Sequence, residues 1–548
     1  MTLGSPPARD AQADKAVLAE IGAAVNAQDF ARAADLAERA VAAGLQHPAV
    51  FSLAALKCEN EERFTDAEAL LRRAIELSPT DPAARNALGL CLRRMDREVE
   101  ALAQFERAVE LAPAFAGAHA ARGGALEALG RLTEAEAAFR RAIELQPENL
   151  GALAGLANLM SRRGAHAPAR QMALQVLAAQ PGFPDAVNVV AAADLADGQA
   201  AVAQARLETQ IADARLTPHE LAMTQGLLGD ALDAQDRVAE AFTAYTAGNL
   251  GLWRAHAKTY GAPPGALEFA RGMVSRLDAI PPQAWRAQGE PPPAGVEGHV
   301  FLLGFPRSGT TLLEQVLASH PQVEALEERE TLIDAMRVYL ARPEDLDRLA
   351  QATEAELAPL RAAYWSKVRQ EGARIENKLF VDKHPLNSLK LPLIARLFPE
   401  AKILFAQRDP RDVVLSCFRR RFAMSGSAYQ LLTLPGAAGY YDAAMQIAAR
   451  LEPALGPRTL VVRHEALVAD FDTVIGAVCG FLGLPWTEAM RGFAERVRDR
   501  GIATPSGAQL AGGLSAEGLG QWRRYRTQLA PVLPRLAPWV ERFGYDPQ

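Results

Sequence analysis

The apolar positions in the first half of the chain recur with a fixed period. Prolines at 79, 113, 147 and 181 stand 34 residues apart. Ala67, Ala101, Ala135 and Ala169 each precede their proline by twelve residues, and Ala74, Ala108 and Ala142 precede theirs by five. Phe105 and Phe139 fall eight residues before their prolines, and Gly89 and Gly123 fall 24 before. This spacing predicts two helices per unit: small residues where the pair approaches closely, an aromatic on the second helix, and a proline where that helix cannot continue. The clearest units are 48–81, 82–115, 116–149 and 150–183. A weaker one begins near Asp14, with Ala33 and Ala40 in phase. Another, near 222–255, carries Gly229, Ala241 and Tyr245 four residues out of register. The pattern fails between 256 and 297, where Pro263-Pro264-Gly265, Pro281-Pro282 and Pro291-Pro292-Pro293 predict a stiff, irregular linker. Beyond it, His299-Val300-Phe301-Leu302-Leu303 reads as a buried parallel strand and Leu312–Leu317 as a helix.

The 34-residue unit resembles the tetratricopeptide repeat. That resemblance implies an α-superhelical array over 14–255. Its groove would hold a peptide, pack on another domain or mediate self-association. Composition narrows the classes further. The chain has 548 residues, 49% apolar and 23% charged, so wholesale disorder is excluded. A net charge of -6, from 59 basic and 65 acidic residues, supplies no overall field for nucleic acid. No stretch approaches the roughly 18 apolar residues of a membrane span, and the N-terminus lacks the marks of a secretory signal. Cys58, Cys91, Cys417 and Cys479 are scattered without metal-site spacing, which fits a reducing cytoplasm. Lysine is scarce, 8 against 51 arginines, so a lysine inside a motif carries weight.

The strand at 299–303 leads into Gly304-Phe305-Pro306-Arg307-Ser308-Gly309-Thr310-Thr311 and then the helix. Strand, glycine-rich turn and helix together aim backbone N–H groups at an anion. The G-x4-G spacing matches a nucleotide-triphosphate loop, but Thr310 stands where that loop needs lysine. The loop therefore reads as a phosphate cradle whose nearest cation is Arg307.

The run P-R-S-G-T-T-L, followed by Ser319-His320-Pro321, resembles the 5′-phosphosulfate loop of sulfotransferases, closest to the tyrosylprotein branch. The resemblance covers roughly 298–548 and implies a three-layer, P-loop-like α/β domain with a parallel sheet. Its donor would be 3′-phosphoadenosine 5′-phosphosulfate (PAPS). It further implies a 5′-phosphate cradle from Arg307, Ser308, Gly309, Thr310 and Thr311, with Arg307 also expected to serve, beside Lys383, as a cation for the leaving oxygen. A lysine touching the transferring group falls at Lys383, in Asp382-Lys383-His384-Pro385. A 3′-phosphate site falls at Arg408 and Ser416, with Arg420 one turn on; the flanking Arg419 and Arg421 read as a solvated basic face. His464 replaces the family's tyrosine near the nucleotide, and Ser506 matches a late nucleotide-gripping loop, after which Gln521 occupies a lysine position.

For the base that takes the acceptor's proton there are two candidates. Glu328 matches the second carboxylate of the branch's acidic pair. It sits in a run with Glu324, Glu327 and Glu330, whose mutual repulsion is expected to raise its pKa. His384 titrates near neutrality by nature, and other sulfotransferase branches place a histidine close to the corresponding lysine. No tight Asp cluster lies beside the loop, so no metal is expected. The implied function is sulfuryl transfer to a hydroxyl of a peptide tyrosine, saccharide, lipid or metabolite. The rivals are a P-loop kinase or hydrolase, disfavoured by Thr310, and a scaffold with a decayed transferase half. All nucleotide motifs lie beyond residue 298, so the repeats are expected to serve the acceptor and not the donor.

Overall fold

The computed structural model describes residues 11–95, 97–213, 215–286, 291–500 and 510–548. The chain divides into two compact units, Met1–Leu159 and Met160–Gln548. In the first, helices come in pairs: Pro48–Asn60 with Phe64–Leu77, Pro82–Arg94 with Glu98–Leu111, and Ala116–Ala128 with Leu132–Leu145. Each expected unit in this stretch holds one pair, and Ala11–Asn26 with Phe30–Ala42 fills the weak unit before them. The glycines set the helix spacing. A Cβ on Gly89 would lie 2.4 Å from the Phe105 ring, and one on Gly123 2.6 Å from Phe139. Any larger residue would push apart two helices whose buried aromatic fills the gap.

The second unit opens with more pairs: Pro184–Ala196 with Ala200–Ile211, then α1 (Pro218–Asp233) with α2 (Val238–Ala255). A capping box between Thr217 and Glu220 starts α1. The glycine–aromatic lock recurs here at the same spacing, with the Gly229 position 2.4 Å from the Tyr245 ring. The segment expected to be an irregular linker instead carries α3 (Ala266–Ala279). Ala270, Met273, Val274 and Leu277 recur at helical spacing and are buried in the core of the second unit, with Trp285 just beyond. The prolines bracket this helix and do not interrupt it, so α1, α2 and α3 all continue into the compact unit that holds the sheet.

That sheet has five strands: β1 (Val296–Leu303), β2 (Val323–Glu327), β3 (Lys378–Lys383), β4 (Lys402–Gln407) and β5 (Thr459–Arg463). Their order is β2-β3-β1-β4-β5 and every pair is parallel. Alternate residues of β1 enter opposite layers. Val300 and Leu302 pack with Leu312, Leu313 and Val316 of α4 (Thr310–Ala318). Phe301 and Leu303 pack with residues of α5 (Pro410–Arg419) and α6 (Leu434–Leu455). Three layers result. The strand order reverses beside β1, and the crevice at the carboxyl ends there is where open α/β sheets bind ligands. No described helix is long and apolar enough to cross a membrane.

Candidate active site

Every strand delivers chemistry at its carboxyl end. After β1 the chain turns through Gly304–Gly309 into α4. A Cβ on Gly304 would stand 2.5 Å from the Ala406 carbonyl oxygen of β4. Gly309 has φ 99°, and a Cβ there would meet Nδ1 of His464 at 2.8 Å. Arg307 holds φ 71°, a left-handed conformation that is costly for a residue with a side chain. Ser308 is buried and closes the loop on itself: its Oγ accepts from the Phe305 N–H at 3.3 Å, and its N–H donates to the Phe305 carbonyl at 3.1 Å. Thr310 and Thr311 are buried at the N-terminus of α4, where backbone N–H groups and the helix dipole favour an anion.

Beside the loop lies a cavity of about 300 Å³ walled by Arg307, Arg408, Ser416, Arg419, Arg420 and Arg524. Arg307 donates from Nε to Ser416 Oγ at 3.0 Å. Arg408 donates from Nη1 to the Arg307 carbonyl at 3.1 Å and from Nη2 to the Gly518 carbonyl. Its buried Nε has no hydrogen-bond partner among the described residues. Burial, with Arg420 and Arg408 close by, pulls the Arg307 guanidinium down to about 9. Burial, helped by the same field of Arg408 and Arg307, pulls His464 down to about 3, so its imidazole is neutral. Asp412 of α5 accepts from the Gly520 and Trp522 N–H groups at 2.6 and 2.8 Å, which ties the late segment to the cavity wall. Gln521 of that segment lines the cavity, whereas Ser506 lies outside the described residues.

One expectation fails here. Arg419 and Arg421 are not a solvated basic face. Arg419 is 12% exposed and donates to Asp233 of α1 at 2.6 Å. The Arg421 guanidinium packs on Gly226 and Gly248, where an added Cβ would lie 3.1 Å from its Nη2. The last helix pair of the repeat region also reaches this cavity, where Asp233 and Ala234 line it.

The second cluster surrounds Lys383, which ends β3 fully buried. Its Nζ lies 2.7 Å from Glu328 Oε1, 3.1 Å from Glu314 Oε2 and 3.6 Å from Glu327 Oε1. Glu328 follows β2 with φ 47°, its N–H donating to the Lys383 carbonyl at 2.7 Å. That bond seats its carboxylate against the lysine. The expected acidic run does not act as one group. Glu324 accepts from the Arg374 N–H, and Glu330 binds Lys390 and His384 at 2.8 and 3.0 Å. The pKa expectation for Glu328 is likewise overturned. Burial alone would raise it, but Lys383 outweighs burial and holds Glu328 below the usual carboxylate range. Burial instead raises Glu327, and pushes Glu314 up to about 8 with Glu327 and Glu328 adding repulsion. Glu314, on α4, is the residue that sequence reasoning missed. His384 is committed through Nε2 to Glu330, whose carboxylate stays ionised, held down to about 2.

The fold and site define an α/β domain with an anion-binding loop after its first strand, a basic cavity on one side and a lysine–carboxylate cluster on the other. A sulfotransferase family model matches residues 299–488, and tetratricopeptide repeat models match 18–82, 59–114, 99–149 and 126–193. An uncharacterised protein of Aquifex aeolicus is 28% identical over 264 residues, 45% of this chain and 33% of that one. Protein-tyrosine sulfotransferase 1 of Danio rerio is 26% identical over 259 residues, 45% of this chain and 72% of that one. Protein-tyrosine sulfotransferase 2 of Gallus gallus is 25% identical over 261 residues, 45% of this chain and 69% of that one. Among solved structures, the sulfotransferase domain of the Synechococcus PCC 7002 olefin synthase is 23% identical, with 47% of this chain and 99% of that one covered and a TM-score of 0.30. The sulfotransferase match thus falls on residues 299–488, and the tetratricopeptide repeat matches precede it in sequence.

Proposed function

We propose that the chain is a PAPS-dependent sulfotransferase that sulfates a hydroxyl acceptor, with a tyrosine of a peptide or protein as the acceptor class. The observation that carries this reading is the pairing, at the carboxyl end of the sheet, of the arginine cavity with Lys383 and Glu328 beside a phosphate loop that lacks the nucleotide-triphosphate lysine. In sulfuryl transfer the sulfur–oxygen bond to the 5′-phosphate breaks while the acceptor oxygen bonds to sulfur, so the protein's work is positioning and charge stabilisation. The loop N–H groups, Arg307 and α4 hold the 5′-phosphate; Arg408, Ser416 and Arg420 hold the 3′-phosphate. Lys383 stabilises charge on the leaving oxygen. Glu328, ionised at neutral pH, takes the acceptor's proton. Of the three carboxylates around Lys383, Glu328 accepts its hydrogen bond, while Glu314 and Glu327 face it as ion-pair neighbours. Glu327, the most distant at 3.6 Å, is the one a reacting group displaces. The relatives' names favour tyrosine, the repeat groove offers a place for a peptide, and four buried unpaired cysteines fit a reducing cytoplasm.

The test is transfer of radiolabelled sulfate from PAPS to a panel of tyrosine peptides, saccharides, lipids and phenolic metabolites. Label on tyrosine peptides is the expected result. Label on saccharide or lipid alone would move the acceptor class, and no transfer to any class would remove the enzymatic reading.

A further inference from the structure

We infer that the last helix pair of the repeat region, α1–α2, is part of the donor site: its acidic residues fix the arginines that wall the cavity, and Ala234 contributes to that wall directly. The inference rests on the donor reading above and goes beyond it, because it assigns donor binding to residues outside the sulfotransferase segment.

The argument begins with charge. Five arginine side chains face one cavity of about 300 Å³. Arginine stays protonated at neutral pH, so the cluster is relieved only by opposing carboxylates or by a bound anion. Two of those carboxylates come from α1. Asp233 accepts from Arg419 Nη2 at 2.6 Å, Arg524 Nη1 at 2.9 Å and the Tyr525 hydroxyl at 2.7 Å. Asp230, one turn earlier, accepts from the Tyr245 hydroxyl at 2.7 Å and Arg420 Nη1 at 3.2 Å.

The arginines are also held by rings. The Arg419 guanidinium lies 5.2 Å from the Tyr245 ring of α2 and 5.3 Å from the Tyr525 ring, within cation–π range of both. Around this knot the contact is native core. Phe242 of α2 stacks on Phe418 of α5 at 5.2 Å, and buried Asn249 donates to the Phe418 carbonyl at 2.9 Å. The saturation matters for function. Arg419 and Arg524 are tied to Asp233, whereas Arg420 has one longer bond and is 31% exposed, so it keeps capacity for a phosphate beside Arg408, whose Nε has no partner among the described residues. The helix pair thus sorts the cluster into bracing arginines and arginines left to bind.

Calorimetry on the full chain tests this with 3′-phosphoadenosine 5′-phosphate and with AMP, which lacks the 3′-phosphate. Ala234 is exposed, so Ala234→Glu adds a carboxylate to the cavity wall without disturbing a core. It should weaken the bisphosphate at least tenfold while AMP affinity changes by less than threefold. Asp233→Asn should reduce the preference for the bisphosphate over AMP in the same direction. Val202→Glu, on an exposed face of an earlier helix, should change neither. Should Asp233→Asn fail to fold, Ala234→Glu decides the matter. Unchanged bisphosphate affinity in folded Ala234→Glu, with Arg408→Ala still weakening it, would overturn the inference and leave the donor reading standing. No bisphosphate binding by the native chain, or indifference to Arg408→Ala, would remove both.

Discussion

The two charged clusters at the carboxyl end of the sheet solve opposite problems. Around Lys383 one cation faces three carboxylates, so negative charge is in excess in a buried place. Around Arg307 cations crowd a cavity with few acids, so positive charge is in excess. The acidic cluster has an internal remedy. A carboxyl group can keep its proton, and Glu314, pushed up to about 8, does so at neutral pH. Arginine has no such outlet in the physiological range. Even with Arg307 pulled down to about 9 its cluster stays charged, and it must be braced by carboxylates or filled by an anion. The comparison separates the proposed roles: the acidic cluster can hold a proton on Glu314, and the basic one favours a polyanion.

The largest effect expected from breaking this division is at Glu328. Glu328→Gln removes the proton acceptor but leaves the cavity untouched. Turnover should fall about 10²- to 10⁴-fold with bisphosphate affinity within twofold of the native value. His384→Asn should cost less than tenfold, because that ring is already engaged with Glu330. Single-turnover sulfate transfer alongside calorimetry checks both. A reversed ranking, in equally stable variants, would hand the role to His384.

The proton store makes the next prediction. A carboxyl whose pKa is raised on folding binds its proton more tightly in the native state, so native stability declines as pH rises from the ordinary value of 4.5 to about 8. Below that window the group contributes nothing; above it the full cost is present. Glu314→Gln imitates the protonated form at every pH. The variant should therefore gain stability relative to the native chain between pH 5 and 8, seen as a flatter dependence of Tm on pH. Parallel Tm curves would mean that Glu314 is ionised throughout.

Much of this was legible in the chain, and the parts that were not share a cause. The phosphate loop, Lys383, Arg408 and Ser416 are marked by local sequence, since strand, turn and helix follow one another directly. The repeat lattice is legible wherever glycine faces an aromatic, as at Gly89–Phe105. It fades at 184–211, where buried Ala191 and Leu207 take those two positions and leave no punctuation to read. Helix α3 carries a proper apolar face, hidden between proline pairs. Glu314 reads as an ordinary helix residue because its partner stands on a strand 69 positions later. Arg419 reads as surface because the carboxylate that turns it inward lies 186 positions earlier. What local pattern cannot report is which distant element will press on a given face.

The smallest effect expected separates charge from hydrogen bonding inside the basic cavity. Arg408 supplies a full positive charge there, so Arg408→Ala should cost about 1.5–3 kcal/mol of bisphosphate binding, roughly 10- to 150-fold. It should also flatten the dependence of affinity on salt, since one screened attraction is gone. Ser416 supplies only a hydroxyl, whose oxygen accepts from Arg307 Nε at 3.0 Å. Its removal leaves every charge in place and loses a bond worth about 0.5–1.5 kcal/mol, so Ser416→Ala should weaken binding by about threefold to tenfold. The salt dependence should match the native chain, because screening acts on charges and none has changed. Binding measured from low to physiological salt distinguishes the two. A reduced salt slope in Ser416→Ala would mean that the hydroxyl holds Arg307 in place, and that losing it swings a charge out of the cavity.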